Sequence, residues 1–190
     1  MDVTKDRLYC DAKKSKSRLA AQTVMHQLVT TMSKLMAPVL SFTAEDIYSH
    51  IKSSNKAESI FMTNLPGHSN EDFDPRLESI FDSVLSLKGQ AYKKIEEMRA
   101  DKTISQSSEC IVNLSLDSET FELLSPIAEE LNNIFLVSSV TINKAAATEV
   151  TVEKTSAPKC ERCWRFVPSV GKSSKHPGLC TRCESVVENI

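Results

Sequence analysis

Cys160, Cys163, Cys180 and Cys183 form two Cys-x-x-Cys pairs, Cys-Glu-Arg-Cys and Cys-Thr-Arg-Cys, with sixteen residues between them. This is the spacing of a four-cysteine zinc site. Each pair turns tightly enough to aim two thiolates at one ion, and two pairs complete a tetrahedron with Zn–S bonds of about 2.3 Å. All four positions are taken by sulfur, so none is left for water. The metal predicted is one structural Zn²⁺ without catalytic work of its own. Zinc binding by such peptides is worth roughly 10–16 kcal/mol at neutral pH, enough to fold a segment too short for a core.

The residues around the cysteines are basic and include an aromatic ring. Arg162, Trp164, Arg165, Lys172, Lys175 and Arg182 lie there, and Trp164 is the only tryptophan of the chain. A ring flanked by arginines can stack on an unpaired base. It can equally pack over the knuckle as a miniature core, and the sequence leaves both open. The overall charge of −2 hides an asymmetry. Residues 1–20 hold six basic and three acidic side chains, a net of +3. Residues 44–150 hold nine basic and eighteen acidic, a net of −9. Residues 154–183 hold seven basic and one acidic, a net of +6. Two basic ends flanking an acidic middle suit a polyanionic partner.

Other chemistry is poorly supported. His26, His50, His68 and His176 lack a nucleophile pattern around them, and His176 is redundant as a ligand beside four cysteines. No apolar run approaches the roughly 18 residues that a membrane span needs. The start of the chain shows neither a secretory signal nor the acid-poor character of a transit peptide. A cytoplasmic location is expected, with plastid or mitochondrion as the alternative. Six cysteines without a signal point to metal and a reducing compartment more than to disulfides. Cys10 and Cys110 remain as small buried apolar residues.

The elements that must position these groups read as mainly α with a small α+β part. Apolar residues at steps of three and four predict a helix over 18–36, with Ala21, Val24, Met25, Leu28, Val29, Met32, Leu35 and Met36 inward. Pro38 stops it. Thr43 reads as the N-cap of a short helix over 44–52. Residues 53–73 read as a loop. Asp74-Pro75 opens a long helix to about Ala100, with Leu77, Ile80, Phe81, Val84, Leu85, Ala91, Ile95 and Met98 inward. Cys110, Val112, Leu114 and Leu116 alternate as a half-buried strand. A helix from Ser125-Pro126 and a second strand over 135–142 follow. The expected divisions are a helical bundle at 1–104, an α/β junction at 105–144, a linker at 145–157 and the zinc module at 158–190. The two long apolar helix faces have few helices to cover them, so the chain reads as starting partway through a domain.

Several segments together carry a resemblance. They are Lys5-Asp6-Arg7-Leu8-Tyr9-Cys10-Asp11, Arg18 with Ala21-Gln22-Thr23-Val24, and Leu35-Met36-Ala37-Pro38 with Ser41-Phe42-Thr43-Ala44-Glu45-Asp46-Ile47-Tyr48. Ile95-Glu96-Glu97-Met98-Arg99 with Lys102, and Cys160-Glu161-Arg162-Cys163-Trp164-Arg165, complete the set. In order and spacing they resemble the C-terminal third of isoleucyl-tRNA synthetases. The resemblance implies part of an anticodon-binding helical bundle, an α/β junction and a zinc module that grips tRNA. It implies isoleucine-accepting tRNA as partner, together with the upstream bundle and catalytic segments, and ATP only in the full-length enzyme. Lys5, Arg7, Lys13, Lys14, Lys16 and Arg18 are expected on tRNA phosphates, and Arg162, Trp164 and Arg165 near anticodon bases. One departure is Leu19 beside Arg18, where members often carry a second arginine. Lys13-Lys14-Ser15-Lys16-Ser17 is similar to the ATP loop of class I synthetases, but no nucleotide-binding fold surrounds it, so it reads as a basic lead-in. Two alternatives stand: a stand-alone zinc-stabilised interaction module, and a DNA-repair glycosylase. Against the second, Met1-Asp2-Val3 lacks the N-terminal proline and glutamate that such enzymes use.

Overall fold

The computed structural model describes residues 2–67 and 74–189. The chain divides into two compact units, residues 11–73 and residues 1–10 with 74–190. His68 and the end of the loop expected over 53–73 lie outside the described residues.

Helix α1 (Asp2–Cys10) belongs to the second unit, and the first unit holds two α-helices among its described residues. Helix α2 runs Lys16–Met36, and Ser15 caps it by accepting from the Arg18 N–H at 3.3 Å. Pro38 ends α2 as expected, and the amides of Val39 and Leu40 close the turn onto the Met36 carbonyl. Helix α3 (Ser41–His50) begins earlier than expected, with Leu40 and not Thr43 at its N-cap. It follows this turn directly, leaving no room for a separate capping loop. A 3₁₀ turn, Ile60–Met62, folds back so that Ile60 packs with Ala37, Ala44 and Tyr48. Glu45 holds it by accepting from the Ile60 N–H and the Ser59 hydroxyl, each at 3.0 Å. The apolar face predicted for α2 is largely uncovered: Ala21 is buried, whereas Val24, Leu28, Val29, Met32 and Leu35 are exposed. Ser33 is buried instead, its hydroxyl bonded to the Val29 carbonyl.

In the second unit α4 (Pro75–Ala100) starts at the Asp74 cap, which accepts from the Arg76 N–H. It carries two apolar stripes. Ile80, Val84, Leu87, Ala91 and Ile95 are buried in the main core, while Leu77, Phe81 and Leu85 are exposed. Strand β1 (Cys110–Leu116) is the centre of a three-stranded sheet, order β2-β1-β3. β2 (Ser139–Lys144) runs parallel to it and β3 (Glu149–Lys154) antiparallel. The parallel pairing requires a crossover. α5 (Ser118–Leu124), a 3₁₀ segment over Ser125–Glu130 and α6 (Leu131–Phe135) make it. Cys110, Val112, Leu114 and Leu116 face α4 as the alternation predicted, packing with Leu124, Leu131 and Phe135.

The expected boundaries change accordingly. The division at 104 disappears, because α4 and the sheet share one core. The linker expected at 145–157 contains β3, in which Val150 and Val152 pair with Leu114 and Val112. β3 extends the sheet because β1 has a second edge with unpaired backbone groups, and those groups need partners. The second strand begins at Ser139, not at 135, because Phe135 ends α6 and Leu136 turns the chain in the left-handed region (φ 57°).

Candidate metal centre and nucleic-acid interface

Each knuckle is a backbone device. In the first, the Cys160 N–H donates to the Arg165 carbonyl and the Trp164 N–H to the Cys160 carbonyl, both at 2.9 Å. Lys159 and Phe166 pair as an antiparallel bridge outside it. The return is so tight that Trp164 takes φ 61°. In the second, Gly171 (φ 86°) donates to the Pro177 carbonyl at 2.9 Å. Cys180 then caps α7 (Thr181–Glu188), which places Cys183 in its first turn.

The four sulfurs all lie within 4.8 Å of one another, and Cys163 Sγ is 3.8 Å from Cys180 Sγ. A tetrahedron with Zn–S bonds of about 2.3 Å has edges of about 3.8 Å, so the set fits one zinc ion. Val167, Val170 and Leu179 pack around it. Thiolate character is supported from the protein side. The Cys180 N–H donates to Cys160 Sγ at 3.3 Å and the Arg162 guanidinium to Cys183 Sγ at 3.5 Å. Burial pushes the Cys160 thiol up, but the backbone around Cys163, Cys180 and Arg162 outweighs it and brings it to about 6. Burial and the neighbouring sulfurs push Cys163 and Cys183 up, a repulsion that a divalent cation removes. The metal would be held by these four residues and would supply cross-linking, with no open position for chemistry.

The arginines around the centre are engaged with the protein. Arg182 donates twice to the Asp6 carboxylate of α1, at 2.5 and 2.7 Å, and Arg165 is 3.9 Å from it. Burial pushes the Asp6 carboxyl up, but Arg182 and Arg165 hold it below the usual carboxylate range. Arg162 also donates to the Cys10 carbonyl at 2.7 Å. Arg165 donates to Asn133 Oδ1 at 2.9 Å, and Asn133 in turn donates to Glu130. Arg7 pairs with Glu130 at 2.7 Å, and Lys5 with Asp2 at 2.8 Å on the surface. The zinc module and α1 are therefore joined by charge-assisted bonds; Asp6 and Asn133 are the residues that sequence reasoning missed, and Arg182, named there only as one of the basic residues near the cysteines, is an anchor for α1. Asp6 stood in the first resembling segment, but only its fold partner reveals its role. Cys10 and Cys110 are buried as expected. Cys10 is pushed up to about 11 by burial and by the Asp6 charge.

Trp164 is 69% exposed, so it is not the miniature core of the knuckle. Lys159 sits 5.7 Å from its ring centroid. In the other unit, Lys13, Lys14 and Lys16 are exposed at the start of α2. Arg18 is half-buried and donates to the Asp11 carbonyl at 3.2 Å. His26 and His50 bond to backbone carbonyls of Lys52 and Asp46, and neither joins a cluster able to hold a metal among the described residues.

Residues 1–114 match the family model described as the anticodon-binding domain of tRNA ligase. The chain belongs to this family. A domain of this kind in a tRNA ligase implies tRNA binding. Residues 158–186 match a second model, the zinc finger found in FPG and IleRS. This match, like the sulfur geometry, supports one structural Zn²⁺. The chain is 34% identical to the isoleucine–tRNA ligase of Thermotoga maritima over 196 residues, which cover 99% of this chain and 21% of that protein. It is 37% identical to that of Brachyspira hyodysenteriae over 195 residues (98% and 21%). With that of Xanthomonas axonopodis pv. citri it shares 36% over 191 residues (99% and 20%). The chain thus spans about one-fifth of the length of the curated relatives it matches.

Proposed function

We propose that this chain is the tRNA-binding C-terminal part of an isoleucine–tRNA ligase, contributing anticodon stem-loop recognition to ATP-dependent charging of isoleucine-accepting tRNA. The observation that carries the reading is the succession, in one chain, of the anticodon-binding domain and the zinc finger, with isoleucine–tRNA ligases matching across nearly its whole length. On this reading the catalytic and upstream bundle segments are further partners, and the exposed apolar faces of α2 and α4 support that part of it. ATP belongs to the whole enzyme, and this chain alone neither activates isoleucine nor forms aminoacyl-tRNA. A cytoplasmic location is proposed, on the ground that four of the six cysteines are gathered as a metal-ligand set, a use of cysteine that suits a reducing compartment.

Within the RNA contact, Lys13, Lys14 and Lys16 are the proposed phosphate contacts. They are exposed, and no acidic side chain is paired with them among the described residues. Lys5, Arg7 and Arg18 support this from part-occupied positions, and Arg162 and Arg165 set the shape of the surface that Trp164 crowns. The zinc finger model is shared with FPG and so does not separate the ligase from the glycosylase reading; the match over residues 1–114 does.

Filter binding of isoleucine tRNA, other tRNAs and duplex DNA tests the proposal. Isoleucine tRNA is expected to bind most tightly, with an affinity that falls as salt rises. Equal binding of duplex DNA overturns it.

A further inference from the structure

Cys10 has no part in the proposed RNA contact, and its surroundings give it another task. It is the last residue of α1 and is buried. It grips Arg162, which lies inside the first Cys-x-x-Cys turn, and is gripped in return. The Cys10 thiol faces the Arg162 carbonyl at 4.0 Å, and Arg162 Nη1 donates to the Cys10 carbonyl at 2.7 Å. The carbonyls of a helix's last turn lack partners within the helix and form its negative end, so a guanidinium suits this place. The same Nη1 also donates to Cys183 Sγ at 3.5 Å. One nitrogen, through its two N–H groups, therefore bridges the end of α1 to a metal ligand of the second knuckle.

Asp6, one turn before Cys10, fixes α1 at this spot. It accepts two bonds from Arg182, at 2.5 and 2.7 Å. Arg182 is the neighbour of Cys183 in sequence, so α1 is tied to both sides of the centre. Four thiolates and one Zn²⁺ carry a net charge of about −2, and a guanidinium against one sulfur offsets part of it. Groups that hydrogen-bond to metal ligands hold those ligands in place, and losing one typically costs about 10–100-fold in metal affinity.

We propose that α1 is a clasp on the zinc centre: docked, it holds Arg162 against Cys183 Sγ and so sets how tightly the metal is kept. Arg162 is a positioning residue for a metal ligand, and Asp6 and Cys10 act through it. The coupling is reciprocal: what bound zinc contributes to the docking of α1, docked α1 returns to the binding of zinc. This gives Arg162 work inside the protein in place of a contact with RNA. The inference does not rest on the tRNA reading.

The experiment uses the full chain without RNA, loaded with zinc or with Co²⁺. Competition with a chromophoric chelator gives the zinc affinity. Co²⁺ reports on the sulfurs directly, because a hydrogen bond to a thiolate raises the energy of its sulfur-to-metal charge-transfer band. Arg162→Met keeps the bulk but removes the donor and the charge. It is expected to weaken zinc binding about tenfold or more and to shift the band to longer wavelength. Asp6→Asn leaves the four ligands and Arg162 in the chain. It is expected to move both readouts in the same direction, with zinc affinity falling about fivefold or more. A loss of packing that left Cys183 with its donor would weaken binding without moving the band. A zinc affinity within about twofold of the unaltered chain's in either variant, or an unmoved band, overturns the inference. Where Arg162→Met does not fold, Asp6→Asn decides by the same two readouts.

Discussion

Two residues show how single side chains are set against their local preference. Trp164 occupies a left-handed backbone position, unusual for a bulky residue, and still leaves most of its ring in solvent. The position costs about 1–2 kcal/mol for a residue with a Cβ, and glycine escapes that cost. Trp164→Gly is therefore expected to stabilise the zinc-loaded module by up to about 1 kcal/mol while weakening RNA binding at least several-fold. Thermal melting and titration with isoleucine tRNA check the two halves separately. Asp6 is the reverse case, an acid made comfortable by Arg182 and Arg165. Its folded carboxyl lies below its unfolded value, so its contribution is complete above an unfolded pKa of about 4 and is lost as the pH falls through the lower, folded one. Asp6→Asn is expected to lower stability at neutral pH and to flatten the acid limb of the stability curve. Denaturant unfolding between neutral and acidic pH reads both.

At the scale of elements, two different forces hold the second unit together. The α4–sheet core is apolar, and Leu114 on the central strand is fully buried in it. Leu114→Ala should cost about 2–5 kcal/mol, measured by denaturant unfolding. The zinc module has only Val167, Val170 and Leu179 around its sulfurs, so its fold depends on metal. Chelation is expected to expose the amides of residues 158–189 to rapid hydrogen exchange, followed by those of α1, whose anchors are Arg162, Arg165 and Arg182. The amides of β1 and of α4 between Ile80 and Ile95 are expected to stay protected. Loss of protection throughout the sheet would mean that metal and core are one cooperative unit.

At the scale of the molecule, charge and uncovered apolar surface set behaviour. Val24, Leu28, Met32 and Leu35 on α2, and Leu77, Phe81 and Leu85 on α4, are exposed at helical spacing. Such faces mark interaction surfaces in soluble proteins. The chain by itself is expected to bind a hydrophobic dye or to self-associate, and a dye-free, monomeric sample by light scattering would refute this. Lys13→Ala, Lys14→Ala and Lys16→Ala combined should reduce the slope of log affinity against log salt by up to about three if each touches one phosphate. An unchanged slope sinks that assignment.

What the sequence by itself determined were features whose cause is local. Two Cys-x-x-Cys turns are a property of a few adjacent residues, so the ligands of the metal centre were legible before any fold was known. Asp74-Pro75 and the alternation from Cys110 to Leu116 likewise name the start of α4 and the inner face of β1. The tertiary structure decided everything that depends on a distant partner. α4 offers two apolar stripes of similar quality, and only contact with the sheet selects Ile80, Val84 and Leu87 over Leu77, Phe81 and Leu85. β3 lies in a segment whose alanines, threonines and lysines resemble a linker, and the free edge of β1 recruits it. Arg162, Arg165 and Arg7 carry the charge of RNA contacts in sequence, yet Cys10, Asn133 and Glu130 occupy them in space. Charge can be counted along a chain, but whether it is free to meet a ligand depends on neighbours as many as 176 residues away, as Asp6 is from Arg182.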